Sequence, residues 1–117
     1  MSELEVFHNP ACSKSRGALQ IVAESGLDAD VTEYLKAPLD RAGLERIVDV
    51  IDETPAELVR KDARFKALGL SAADYTTRDE VVGLLLEHPE LMERPVVIVG
   101  ERGVIARPPE KLLELLG

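Results

Sequence analysis

The chain alternates between short apolar runs with a two-residue period and longer stretches in which apolar residues recur every three or four positions. The first pattern predicts β-strands and the second predicts amphipathic helices. Glu3 to His8 is predicted to be the first strand, and Asn9-Pro10 interrupts it. A helix is predicted from about Ser13, with Gly26 as its stop. The chain therefore opens with a predicted strand, a tight turn and a helix.

The middle of the chain is predicted to be mostly helical. Asp30 to Leu35 predicts a second strand, and the sequence then keeps a helical character from about residue 40 to about residue 90. Two capping boxes mark helix starts, at Thr54-Pro55-Ala56-Glu57 and at Thr77-Arg78-Asp79-Glu80. Pro89 is predicted to end the helix that follows the second box.

The last part of the chain is predicted to form a hairpin and a final helix. Pro95 to Val99 is rich in β-branched residues, Gly100 to Gly103 reads as a turn, and Val104 to Arg107 supplies the partner strand. Pro108-Pro109 then begins a helix that ends at Gly117. A crossover joins parallel strands and a hairpin joins antiparallel ones. We therefore predict one α/β domain, residues 1–117, with a mixed sheet of two parallel and two antiparallel strands, flanked by helices and with a helical insertion between strands two and three.

Composition narrows the choice of compartment and partner. Hydrophobic residues make up 45% of the chain, enough for one core, and no apolar run approaches the roughly 20 residues that span a bilayer. The N-terminus lacks a basic and then apolar signal segment. The net charge of −8 opposes nucleic-acid binding, and no cluster has zinc-ligand spacing. We expect a cytoplasmic protein with no membrane, nucleic-acid or metal partner.

Cys12 is the only cysteine, and it stands where the first strand turns into the first helix. A lone cysteine is most often a small buried hydrophobe. Here the neighbours are polar, and unpaired backbone N–H groups at a helix N-terminus favour a thiolate and any oxyanion that it attacks. The sequence therefore favours a nucleophilic cysteine.

Candidate partners for this thiol have structural explanations as well. Most arginines are solvated surface charges. Arg94 and Arg107, however, come from the same open end of the predicted hairpin, and Arg60 lies near the end of a short insertion helix. His8 fits a strand-end histidine as well as a functional one, whereas His88 is explained by its place at a helix C-terminus.

A set of short motifs extends over nearly the whole chain: His8-Asn9-Pro10, Cys12, Ser15-Arg16, Leu58-Val59-Arg60-Lys61, His88-Pro89, Glu93-Arg94-Pro95 and Arg107-Pro108. This set resembles the single-domain bacterial arsenate reductases that work with glutathione and glutaredoxin. Within that family it is most similar to a paralogue subgroup called arsenate-reductase-like.

The resemblance implies a thioredoxin-like fold and assigns a role to each of seven residues. The implied roles are nucleophile for Cys12, oxyanion binding for Arg60, Arg94 and Arg107, thiolate stabilisation for His8 and Ser15, and a cis peptide bond facing the cysteine for Pro95.

The implied reaction is reduction of arsenate to arsenite. Because one cysteine cannot close a disulfide within the chain, an external thiol has to supply an electron, and a glutaredoxin-type protein then resolves the mixed disulfide. We expect glutathione or another low-molecular-weight thiol as co-substrate, no tightly bound cofactor, and a monomer. Two alternatives remain at this point: a thioredoxin-fold transcriptional regulator that binds RNA polymerase, and a general thiol-disulfide oxidoreductase. Ser15, in place of the second cysteine of a Cys-x-x-Cys pair, counts against a redox sensor.

Overall fold

The computed structural model describes residues 4–116. The strands are β1 (Leu4–His8), β2 (Ala29–Glu33), β3 (Val96–Val99) and β4 (Arg102–Ile105). The α-helices are α1 (Ser13–Ser25), α2 (Arg41–Val50), α3 (Ala63–Ala67) and α4 (Arg78–Glu87). Short 3₁₀ helices cover Pro55–Leu58, Ala72–Asp74, Pro89–Leu91 and Pro109–Leu115.

The strands form one mixed sheet in the order β2-β1-β3-β4. The parallel pair β1–β2 and the antiparallel hairpin β3–β4 are as predicted, with Val6 opposite Val31 and Val97 opposite Val104. The pairing of β1 with β3 is antiparallel. Since β3 is thus antiparallel to both of its neighbours, it alone runs against the other three strands.

Two predicted strand boundaries were wrong. β2 ends at Glu33, because the chain turns there and the carbonyl of Glu33 accepts the N–H groups of Lys36 and Ala37 at 2.9 and 3.0 Å. β4 begins at Arg102, since Val99 pairs with Arg102 across a two-residue turn in which Gly100 has a φ of +63°. Arg107 therefore follows β4 instead of ending it. Glu3 and Gly117 lie outside the described residues.

Each face of the sheet carries a hydrophobic core, and the strands alternate between the two. Phe7 and Val96 face the larger core, which is formed with the helical insertion, whereas Val6 and Val97 face the smaller one. The smaller core is completed by α1 and by Leu112 of the C-terminal 3₁₀ helix. The sheet is therefore covered on both sides, as its apolar strands require.

Backbone hydrogen bonds attach the insertion to the chain that leads into β3. The N–H of Arg60 donates to the carbonyl of Leu91 at 2.6 Å, and the N–H of Glu93 donates to the carbonyl of Leu58 at 2.7 Å. These bonds surround an isolated antiparallel bridge between Val59 and Met92. Arg60 is thereby held beside Glu93 and Arg94. Within residues 4–116, no helix has both the length and the apolar character needed to cross a bilayer.

Candidate active site

Cys12 is the N-cap residue of α1 and lies just beyond the carboxyl end of β1. The turn that presents it is built by Asn9, a buried residue whose carbonyl accepts the Cys12 N–H at 2.9 Å. The Asn9 side-chain oxygen also accepts the N–H of Ala11 at 3.0 Å. This local network fixes the thiol over the first turn of the helix.

The environment of the Cys12 thiol lowers its pKa to about 7. Burial acts in the opposite direction, because it disfavours the charged thiolate. The backbone N–H groups of Ser15 and Lys14 and the guanidinium groups of Arg94 and Arg107 together outweigh burial. At neutral pH a large fraction of Cys12 is therefore thiolate, the nucleophilic form.

Arg94 and Arg107 converge on this thiol. Nη1 of Arg107 lies 3.7 Å from Sγ of Cys12 and also donates to the carbonyl oxygen of Arg94 at 2.9 Å. Nη1 of Arg94 donates to the carbonyl oxygen of Glu90 at 3.1 Å, while its buried Nε has no partner among the described residues. The site thus holds two cations and, among the described residues, an unpaired N–H donor close to the Cys12 thiol.

Arg60 joins the site through Glu93, a residue that sequence reasoning did not single out. The Glu93 carboxylate lies 3.3 Å from Nη1 of Arg60 and 3.4 Å from Nε of Arg107. Arg60 is also paired with Asp62 at 3.3 Å. Glu93 therefore links the arginine of the insertion to the arginine that touches the thiol. The available signals were its place next to Arg94 and its presence in the Glu93-Arg94-Pro95 motif.

Tyr34 is a second residue that sequence reasoning missed. It was predicted to lie in β2, but it begins the turn after that strand and is 1% exposed. Its hydroxyl donates to the carbonyl oxygen of Met92 at 3.3 Å. Burial raises the pKa of Tyr34, although the nearby Arg94 and Arg60 cations oppose that effect. A neutral phenol therefore forms part of the wall behind the arginines.

His8 does not provide the positive charge that a protonated imidazole near Cys12 would supply. Burial lowers the pKa of His8 and, although Glu33 partly opposes this, the lowered pKa favours the neutral imidazole at pH 7. Its Nδ1 has no hydrogen-bond partner among the described residues. His8 is a buried histidine at the end of β1, and its stabilisation of the thiolate stays a prediction.

Ser15 acts on the thiol through its backbone. Its N–H is the strongest of the hydrogen-bond donors that lower the pKa of Cys12. The hydroxyl is buried and accepts the N–H of Asn9 at 3.2 Å. The side chain therefore braces the turn that presents the thiol, whereas the hydroxyl had been expected to stabilise the thiolate.

The peptide bond between Arg94 and Pro95 is cis, as predicted, and so is the bond between Arg107 and Pro108, which was not predicted. The two prolines follow the two arginines that approach the thiol. The carbonyl of Pro95 accepts the N–H of Ala106 at 2.9 Å, which joins the two segments just beyond the hairpin.

An open cavity of about 260 Å³ lies beside Arg107. Acidic and basic side chains both line it, together with one apolar residue. The lining residues are Glu53, Glu57, Glu93, Ile105, Arg107 and Lys111. Glu53 is paired with Lys111 and also accepts the N–H of Ile105 at 3.1 Å. Within residues 4–116, no three His, Cys, Asp or Glu side chains are placed to share a metal ion.

Comparison with known protein families shows to which family the chain belongs. The family model described as "ArsC family" matches residues 7–115. The chain belongs to the ArsC family. The relatives of this ArsC chain include an arsenate reductase of Neisseria meningitidis serogroup A, 36% identical over 118 residues, with 99% of this chain and 100% of that protein covered. The uncharacterised protein YfgD of Escherichia coli K12 is 37% identical, with 98% of both chains covered.

Solved structures of ArsC relatives show the same fold. An arsenate reductase from Vibrio cholerae superposes with a TM-score of 0.86 at 30% identity, over 97% of both chains. A structure from Yersinia pestis, described as a putative arsenate reductase, has a TM-score of 0.84 at 32% identity and covers 95% of this chain and 98% of that one. The mixed four-stranded sheet with flanking helices is therefore the thioredoxin-like ArsC fold.

Proposed function

We propose that this ArsC-family protein is an arsenate reductase whose single nucleophile is Cys12. The observation that carries the proposal is the 3.7 Å approach of the Arg107 guanidinium to the Cys12 sulfur, at a thiol whose pKa is lowered to about 7. A thiolate and an oxyanion-binding cation at one point are what attack on a tetrahedral oxyanion needs. The names of the relatives in Neisseria meningitidis and Vibrio cholerae support the choice of arsenate.

In the first step the Cys12 thiolate attacks arsenic(V). A sulfur–arsenic bond forms, one arsenic–oxygen bond breaks, and the departing oxygen leaves as water after it takes up protons. Arg94 and Arg107 stabilise the negative charge on the remaining oxygens, while Arg60 contributes from the insertion side. Arsenic is still in the +5 state at this point.

The second step reduces arsenic and needs a thiol from outside the chain. The external thiolate attacks the Cys12 sulfur, the sulfur–arsenic bond breaks, and its electron pair stays on arsenic, which leaves as arsenite. Cys12 and the external thiol each give one electron and are joined as a mixed disulfide. A glutaredoxin-type thiol then attacks the external sulfur and restores the Cys12 thiolate.

The external thiol in this proposal is glutathione or another low-molecular-weight thiol. The 260 Å³ cavity supports this choice, since its lining contains carboxylates and cations, among them Arg107, whose Nη1 lies 3.7 Å from the Cys12 sulfur. The charge of the whole chain, −8, does not prevent oxyanion binding. At an effective dielectric near 20, one ion pair at ~4 Å is worth about 4 kcal/mol, and distant surface charges are screened beyond about 8 Å.

The test is arsenite release from arsenate in the presence of glutathione and a glutaredoxin. We expect steady arsenite formation by the wild-type protein and none by Cys12→Ser, because a neutral hydroxyl is a far poorer nucleophile than a thiolate. Circular dichroism checks that the variant is folded. Turnover retained by Cys12→Ser would eliminate this mechanism.

Intact-mass spectrometry separates this function from the alternatives. With arsenate and glutathione but no glutaredoxin, Cys12 should carry one glutathione, and glutaredoxin should remove it. A general thiol-disulfide oxidoreductase would instead gain the adduct from oxidised glutathione and release no arsenite from arsenate. If this protein shows neither reaction and binds RNA polymerase, the result would support the transcriptional-regulator alternative.

A further inference from the structure

The Glu93 carboxylate bridges Arg60 and Arg107, two of the three arginines to which the proposed function assigns oxyanion binding. One of its oxygens lies 3.3 Å from Nη1 of Arg60 and the other lies 3.4 Å from Nε of Arg107. The Glu93 side chain is only 21% exposed, so the two ion pairs are partly shielded from water. A carboxylate and an oxyanion use the same N–H donors of a guanidinium group. They therefore compete for these two arginines.

The charges around the thiol confirm that the arginines are already partly neutralised. Arg60 is shared between Glu93 and Asp62, and Arg107 is shared between Glu93 and the Cys12 sulfur. Arg94 has no carboxylate partner among the described salt bridges, and its buried Nε has no hydrogen-bond partner there either. Of the three arginines, Arg94 thus has no carboxylate partner among the described residues, whereas Arg60 and Arg107 are both paired with Glu93.

We propose that Glu93 competes with oxyanions for Arg60 and Arg107, so that an oxyanion that forms no bond to Cys12 is held only weakly. The inference rests on the proposed function and extends it to the choice between arsenate and phosphate.

The physical reason lies in the similarity of the two ions. Arsenate and phosphate have nearly the same shape and charge, so arginines alone cannot separate them. Arsenic(V) exchanges its oxygens for thiolates readily, whereas phosphorus(V) does not. Displacing Glu93 from both arginines lowers the affinity for either ion. Arsenate recovers the loss through its bond to sulfur, and phosphate has no such compensation. Glu93 thereby keeps phosphate from saturating the site.

Glu93 also limits how strongly Arg107 acts on the thiol. The same guanidinium group meets the Glu93 carboxylate through Nε and the Cys12 sulfur through Nη1. Without the carboxylate charge, the Arg107 cation stabilises the Cys12 thiolate more strongly. The pKa of Cys12 should then fall below its value of about 7.

The experiment compares the wild-type protein with Glu93→Gln, which keeps the shape of the side chain and removes its charge. Cys12 is the only thiol, so its alkylation by iodoacetamide reports on this site alone. Inorganic phosphate is added as the probe, and its concentration for half-protection is measured. We expect half-protection of Glu93→Gln at about a tenfold lower phosphate concentration, since one competing charge pair has been removed. The pH midpoint of alkylation should move down.

Glu5→Gln is the matched control. Glu5 forms an exposed ion pair with Arg46 at the far end of β1, so the substitution removes the same charge and also breaks a carboxylate–arginine pair. Its phosphate protection and its alkylation midpoint should match the wild type. Glu93→Asp keeps the charge but is too short to reach both arginines, so it should bind phosphate with an affinity between those of the wild type and Glu93→Gln.

Unchanged or weaker phosphate protection in folded Glu93→Gln, with the alkylation midpoint unmoved, would overturn the proposal and make Glu93 a spacer that holds the arginines. Neither measurement depends on turnover. If no variant reduces arsenate but Glu93→Gln still binds phosphate more tightly, the proposed function fails and this inference about the oxyanion site stands.

Discussion

At the scale of single residues, the reactivity of Cys12 is set by opposing effects. Burial favours the neutral thiol, and the backbone N–H groups of Ser15 and Lys14, together with Arg94 and Arg107, favour the thiolate. His8, which is nearby in sequence, adds no charge because burial keeps it neutral. The thiol therefore depends on the helix N-terminus and on two arginines that are distant in sequence.

Arg107→Ala should raise the pKa of the Cys12 thiol from its value of about 7. The rate of alkylation by iodoacetamide is low at pH values below the thiol pKa, where the sulfur is protonated. The rate rises to a plateau at pH values above the pKa, so its midpoint reports the pKa. Loss of the cation destabilises the thiolate, so the midpoint should move to higher pH by roughly one unit. The measurement is the alkylation rate as a function of pH.

The matched control for this prediction is Arg102→Ala. Arg102 begins β4 and pairs with Asp52 at the other end of the strand from Arg107. Its removal changes the net charge equally and should leave the midpoint in place. Equal shifts in both variants would show that the thiol responds only to the overall charge of the protein.

At the scale of elements, the residues at the ends of the helices determine where each helix begins and ends. The first turn of α1 contains no acidic side chain, which leaves the positive end of its dipole to the thiolate. The helix ends at Gly26, whose φ of +75° lies in the left-handed region. Both predicted capping boxes are present: Glu57 accepts the N–H of Thr54 at 2.6 Å, and Glu80 accepts the N–H of Thr77 at 3.1 Å.

The same substitution should have opposite effects at two helix glycines. Gly26→Ala should lower the free energy of unfolding by about 1 kcal/mol, because alanine is strained at a positive φ. Gly83 lies inside α4, and an added Cβ there would meet nothing within 4 Å. Gly83→Ala should therefore raise the free energy of unfolding by about 0.5–1 kcal/mol.

Urea denaturation measures both changes as shifts of the midpoint at constant slope. Each variant serves as the control for the other, since both add one methyl group to a glycine of a helix or its cap. A loss of stability in Gly83→Ala equal to that in Gly26→Ala would contradict the assignment of the effect to backbone conformation.

At the scale of the whole molecule, the insertion and the sheet share one hydrophobic core. The larger core contains residues of both, including Leu85 of α4 and Ile98 of β3. A second connection lies at β4, where the N–H of Asp52 donates to the carbonyl of Gly103 at 2.9 Å. The candidate active site draws on both parts of the chain, because Arg60 comes from the insertion and Cys12 is the N-cap residue of α1.

Leu85→Ala should lower the free energy of unfolding by about 2–5 kcal/mol and leave a single transition. Leu85 is 1% exposed, whereas its neighbour Leu86 is 37% exposed, so Leu86→Ala is the control and should have a much smaller effect. Circular dichroism and amide exchange followed by mass spectrometry report on the insertion and on β1–α1. Separate transitions for these two regions would show that the insertion is a domain of its own.

Much of this fold was predictable because it depends on neighbours in the chain. The turn at Asn9-Pro10, the helix stop at Gly26 and the two capping boxes are determined by short-range sterics and hydrogen bonds. The β3–β4 hairpin was also predicted, but its turn was predicted two residues too long, because Gly100-Glu101 alone makes the reversal and both Arg102 and Gly103 already belong to β4. The position of Cys12 at the start of α1 is likewise determined by neighbouring residues in the chain.

By itself, the amino-acid sequence determined where Cys12 stands on its helix, and the cis bond before Pro95 followed from its family resemblance. Only the tertiary structure decided what surrounds that cysteine. Glu93 meets Arg60 and Arg107 because backbone bonds join the insertion to the segment before β3, across more than 30 positions. Tyr34 enters the site because β2 ends early, and His8 is neutral because the packed core removes it from water. Burial and long-range pairing are properties of the packed chain, and no local pattern of residues encodes them.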